Sequence, residues 1–112
     1  IDAGTPFNVI YAENDDMAKG AVAALDKANI SHGVNGDVVV MGFDCNKWAL
    51  EELLAGNWNY DGQCNPFQAS YIDEIIKTLE SGGTIAEKTI IMDEKGFDAS
   101  TITQEDVDAY GI

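Results

Sequence analysis

Basic residues are scarce in this sequence. Six lysines and arginines stand against twenty aspartates and glutamates, a formal net charge of −14. A surface of that sign repels phosphate backbones and anionic membranes, which argues against direct nucleic-acid contact and favours a solvated exterior. Histidine occurs once, at His32 in "NISHGVNGD", which argues against a histidine-based zinc site or a Ser-His-Asp triad. The two cysteines, Cys45 and Cys64, are too few for a disulfide framework and lack metal-ligand spacing, so both are expected to remain thiols. No apolar run approaches the ~18 residues of a membrane span. No basic, apolar leader stands at the front, but "IDAGTPF" opens without methionine, so that absence says nothing about compartment. Also missing are Gly-x-Gly-x-x-Gly, Gly-x-x-x-x-Gly-Lys-Ser/Thr and Gly-x-Ser-x-Gly, the scaffolds of phosphate cradles and nucleophile elbows. The adjacent acids Asp15 and Asp16 would point about 100° apart on a helix, a poor arrangement for paired acid/base work. Neither an enzyme nor a cofactor nor a metal site is expected.

What is present is an alternation. At 112 residues the chain suits one domain. "FNVIYA" (7–12) is β-branched and aromatic, as a strand requires, and Met17, Ala21, Ala24, Leu25 and Ala28 then recur on one helical face. "NISHGVNG" supplies a turn. "DVVVMGF" (37–43) is near-continuously apolar, the pattern of a strand buried on both faces of a parallel sheet. A second helix over 47–55 turns Leu50, Leu53 and Leu54 inward and stops at Gly56. "NWNYDGQCNP" (57–66) is a weaker strand, ended by Pro66. Ile72, Ile75, Ile76 and Leu79 stripe a third helix that "SGG" (81–83) terminates, and "KTIIM" (88–92) reads as a last short strand. Thr103, with Asp106 three residues on, has the form of a capping box. Met17, Met41 and Met92 are assigned to the core.

Strands separated by helices of this length imply right-handed βαβ crossovers and a mostly parallel sheet, a Rossmann-like three-layer α/β architecture. Parallel strands end on one edge, where open α/β sheets bind ligands. Glu13, Asn14, Asp44 and the Gln63/Cys64 pair should collect there. An amide offers donors and an acceptor and a carboxylate two acceptor oxygens, the mixture that a polyhydroxylated ligand needs. Each residue also has a plain structural role. Asn14 or Asp15 could be an N-cap worth about 1 kcal/mol, Asp44 could cap the next helix, and Asp16 suits a first-turn acid beside the helix dipole. The place of Gln63 and Cys64 rests on a weak strand. Trp48 and Trp58 could stack on a sugar ring, but packing against the sheet is the expected role of each.

"YAENDDMAKGAVAAL", "DVVVMGFD", "QCNPF" and the closing "ITQEDVDAY" together resemble the C-terminal half of type 1 periplasmic sugar-binding proteins, the substrate-binding components of ABC transporters related to ribose- and galactose-binding proteins. "QCNPF" is most similar to the galactofuranose-type branch. The resemblance runs from about Phe7 to Tyr110 and implies that residues 1–112 are a C-terminal lobe, with the N-terminal lobe and two further strands outside this sequence. It implies a monosaccharide ligand held by Asn14 and Asp44, with Gln63 or Cys64 completing the contacts, and a membrane permease as partner. Location would be periplasmic or extracytoplasmic, with a lipid anchor outside these residues in a Gram-positive cell. A lobe without its neighbouring strands is expected to self-associate. LacI-type transcription regulators share "NDxMA" and "GFD", and an effector-binding lobe of that kind is the alternative; a Mg²⁺-binding receiver domain fits less well, because Lys88 precedes its strand.

Overall fold

A computed structural model describes residues 1–112 as four strands and four helices: β1 Val9–Tyr11, α1 Asp15–Lys27, β2 Val39–Asp44, α2 Lys47–Leu54, β3 Tyr60–Gln63, α3 Ala69–Glu80, β4 Gly96–Asp98 and α4 Gln104–Tyr110. They fall into two units, residues 1–64 with 95–112, and residues 65–94. No helix is long and apolar enough to cross a membrane.

The first unit holds one sheet in the order β1-β2-β3-β4. β1–β2 and β2–β3 are parallel and β3–β4 is antiparallel, so the α/β class and the mostly parallel sheet are as the sequence implies. Two successive steps in one direction, each through a right-handed helical crossover, put α1 and α2 on the same face. There Ala18, Leu25, Val40, Ala49, Leu50, Leu53, Trp58 and Val107 form the buried core. The opposite face is open in this unit. Val9, Tyr11 and Val39 are exposed, and Met41 and Phe43 are half-buried. The strand expected to be buried on both faces therefore alternates: Val40 and Gly42 point into the core and their neighbours do not.

Several local readings need correction. The buried stripe of α1 is Asp15, Ala18 and Leu25 with Val22 half-buried, not the face of Met17, Ala21, Ala24 and Ala28; Met17 is exposed. An acid at the head of the inward stripe hid it from a hydrophobic pattern. In α2 the third inward residue is Ala49, and Leu54 is exposed. "KTIIM" is not a strand: the open edge of β3 is taken by Gly96–Asp98, and Ile90 and Ile91 stay exposed. Gly56 does end the second helix, in the left-handed conformation that glycine adopts without strain. The Thr103–Asp106 capping box is fully formed.

In the second unit α3 is amphipathic but buries no residue; Ile72, Ile76 and Leu79 are exposed, and Tyr71, Ile75, Ile90 and Met92 border a shallow cleft of about 220 Å³.

Candidate functional site

Each expected site residue lies at or just past the carboxyl end of a parallel strand. Asn14 follows β1 in extended conformation and is the N-cap of α1, its Oδ1 accepting from the Met17 N–H at 2.8 Å. The cap uses the carbonyl oxygen and leaves the amide group to donate elsewhere. Glu13 beside it is exposed. Asp44 ends β2, half-buried, and is the register partner of Gln63 at the end of β3. Gln63 is tied toward β4: its N–H donates to the Lys95 carbonyl at 2.9 Å, and its Oε1 accepts from the Lys95 N–H at 3.2 Å. Cys64 is exposed and Cys45 buried, and no disulfide joins them, as expected.

The backbone after β2 is strained. Asp44 has φ 119° and Cys45 φ 61°, two consecutive non-glycine residues with positive φ. Such conformations cost of order 1–3 kcal/mol each and persist only where the surroundings enforce them. Here α1 does so. Asp15 Oδ2 accepts from both the Asn46 backbone N–H (2.8 Å) and the Asn46 side-chain amide (3.1 Å). The Asn46 carbonyl accepts from Ala49 and Leu50, and the Cys45 carbonyl accepts from Ile112. The turn carrying Asp44 is thus pinned to the start of α1 on one side and to α2 and the C-terminal residues on the other. Asn14 and Asp44 each lie within two residues of this link.

Beneath the turn is a group that the sequence reading missed. Asp15 and Asp61 are both fully buried and meet over Gly42. Asp61 is the register partner of Gly42, and a Cβ on Gly42 would lie 2.5 Å from Asp15 Oδ1 and 2.7 Å from the Trp58 ring. Only glycine leaves room for the carboxyl. As two carboxylates, Asp15 Oδ1 would have no donor and the Asp61 oxygens only the nearby Cys45 backbone N–H, a costly state in the interior. Burial pushes both carboxyls up, and the neighbouring Asp15 charge helps to carry Asp61 to about 8, while the two Asn46 donors oppose the rise at Asp15. Asp61 therefore holds a proton and donates it to Asp15, and the pair titrates as a unit. The signal in the sequence was an acid inside "NYDGQ", at the strand position whose side chain faces the core.

A cleft of about 430 Å³ between α1 and α2 is lined by Lys19, His32, Trp48, Glu52 and Trp58 among others. Its polar groups are engaged with one another. Lys19 Nζ lies 4.4 Å from the Trp48 ring centre, and His32 binds Asp26 Oδ1 (3.0 Å) and the Asn57 carbonyl (2.9 Å). Trp48 meets Trp58 edge to face, and Trp58 is buried, so both indoles serve packing as expected. No group of three or more His, Cys, Asp or Glu side chains converges to hold a metal ion.

No family model matches the chain. It is 35% identical over 92 residues to the fructose import binding protein FruE of Bifidobacterium longum, covering 82% of this chain and 27% of that protein. Among solved structures it superposes on a galactofuranose binding protein with a TM-score of 0.83 at 22% identity, over 97% of this chain and 36% of the other. It superposes also on an ABC transporter periplasmic solute binding protein of Actinobacillus succinogenes with bound D-allose, TM-score 0.74 at 27% identity, over 88% of this chain and 33% of the other. The fold is that of the type 1 periplasmic binding proteins. Within that class the chain is similar to sugar-binding proteins, which are binders and not enzymes, and it spans between a quarter and two-fifths of their length. The transcription-regulator alternative gains no support from these relatives.

Proposed function

We propose that residues 1–112 are the C-terminal lobe of the substrate-binding component of an ABC-type sugar importer. The lobe binds a monosaccharide in a cleft completed by an N-terminal lobe, outside the cytoplasmic membrane, and the closed protein delivers the sugar to a membrane permease. Asp44 accepts from sugar hydroxyls, the Asn14 amide donates to a sugar oxygen, and Gln63, Cys64 and Glu13 border the same edge. The observation that carries this reading is the strained turn: Asp44 is held at φ 119° at the end of β2 by a dedicated link to α1, an arrangement that helix capping does not require. Supporting it are the matches to a fructose import binding protein and to an allose-bound solute binding protein.

Asp44→Ala is the test. A carboxylate accepting from hydroxyls contributes about 1.5–3 kcal/mol per bond, so the variant should lose binding altogether at concentrations where the wild type responds. Saturation-transfer NMR with a panel of pentoses and hexoses reads this directly. A variant that binds its sugar as the wild type does removes Asp44 from the site.

A further inference from the structure

We infer that Asp15 and Asp61 are positioning residues for ligand binding: a carboxyl–carboxylate pair, sharing one proton, that holds the Asp44–Asn46 turn in its strained shape. The inference rests on the reading of Asp44 as a sugar-binding residue, but the clamp itself is a separate structural claim.

Three observations converge on it. First, the pair is buried and in contact at Gly42, a position at which any side chain would collide with the Asp15 carboxyl. Second, the oxygens divide the work. Asp15 Oδ2 takes both Asn46 donors, whereas Asp15 Oδ1 has no donor unless Asp61 supplies one. With the proton on Asp61, its O–H donates to Asp15, whose charge is then spread over three hydrogen bonds, two of them to Asn46. Third, the element so held is the one with two successive left-handed non-glycine residues, and its strain requires an external restraint.

The groups acting on the pair are few. Asp15 from α1 and Asp61 from β3 act on each other, and Asp44 at the end of β2 adds a like charge to both. The Asn46 donors favour ionised Asp15, and the Cys45 backbone N–H favours ionised Asp61. β4 contributes Phe97, the register partner of Asp61, and none of the chain's ion pairs includes either acid. Loss of the shared proton places two adjacent buried negative charges under the turn. Their repulsion displaces Asp15 from Asn46, and the Asp44 carboxylate moves with the loop.

The experiment is a pH titration of the 112-residue chain by NMR, following side-chain carboxyl carbons and backbone amides. In the wild type the Asp61 carboxyl should titrate near 8, and the Asp44, Cys45 and Asn46 amides should move with the same midpoint. In Asp61→Asn, whose amide still donates to Asp15, the three amides should keep their low-pH shifts throughout. Sugar binding should weaken by about tenfold across the wild-type transition, the worth of one misaligned charge-assisted bond, and stay constant in Asp61→Asn. Amides of 44–46 that ignore the Asp61 titration, or an Asp61 that ionises in the ordinary carboxylate range, would overturn the inference. If the wild type binds no sugar, the proposed function fails, and the amide titration still decides the clamp. The wild-type measurement needs no variant to fold.

Discussion

At the scale of single residues, the chain places its chemistry in side chains with two jobs. Asn14 caps α1 with its carbonyl and leaves its amide able to donate to the proposed ligand; Asp15 begins the helix and fastens the next strand's turn. The placement of Asn14 and Asp44 at one edge of the sheet was legible because each ends an apolar run with a hydrogen-bonding group. Asp61 was not, because its neighbour Asp15 is 46 residues away and becomes one only through the β2–β3 register and the gap at Gly42. His32 offers a separate test at this scale. Both of its partners are acceptors, so both ring nitrogens must carry protons to satisfy them together. Burial opposes that charge, but the Asn57 carbonyl and the Asp26 carboxylate outweigh it, and the pKa rises. A raised folded-state pKa stabilises fully below the unfolded value of ~6.5, and the contribution is lost as pH climbs through the folded value. Urea unfolding should therefore show the wild type more stable than His32→Gln near pH ~5.5, with the gap closing by pH ~8.5. A gap independent of pH would mean that His32 acts by packing alone. Asp61 tilts the whole curve the same way: it keeps a proton in the folded state that the unfolded chain releases above ~3.9, so stability falls as pH rises from there toward its folded value.

At the scale of elements, periodicity identified helices better than it identified their faces. The third helix, the stop at Gly56 and the Thr103 capping box are local signals, and each is realised, although Ile72, Ile76 and Leu79 of that helix stay exposed. The inward face of α1 is not local: it is decided by what β2 and α2 offer it, and they offer Asn46 donors to Asp15 and a core contact to Leu25. The last strand shows the same limit. "KTIIM" has the better strand composition, yet "GFD" pairs with β3, because Lys95 exchanges hydrogen bonds with Gln63 and Phe97 enters the core. Lys95 also bonds Asp106 at 2.6 Å and lies over the Phe97 and Tyr110 rings, joining β4 to the capping box of α4. Partner availability, not propensity, selected the strand.

At the scale of the whole molecule, an open sheet face and a charge of −14 act against each other. β1 lies at the edge of the sheet with Val9 and Tyr11 exposed, and unpaired edges invite a second chain. Like charges keep copies apart until salt screens them, over about 10 Å at 0.1 M. Self-association should therefore increase with ionic strength, and sedimentation at low and high salt will show it; a monomer at high concentration in both would contradict the expectation.

Under the proposed function the chain holds half of a cleft, and its affinity should be correspondingly modest. If a complete cleft binds at micromolar concentration, about −8 kcal/mol, a lobe retaining half of that binds in the millimolar range. The most direct test of the sugar-binding account is an amide-resolved NMR titration of this chain with monosaccharides. The account predicts millimolar, saturable shifts confined to residues 13–14, 44–46 and 63–64, and absent in Asp44→Ala. Shifts centred instead on the Trp48–Trp58 cleft, or none with any pentose or hexose up to about 100 mM, would contradict it.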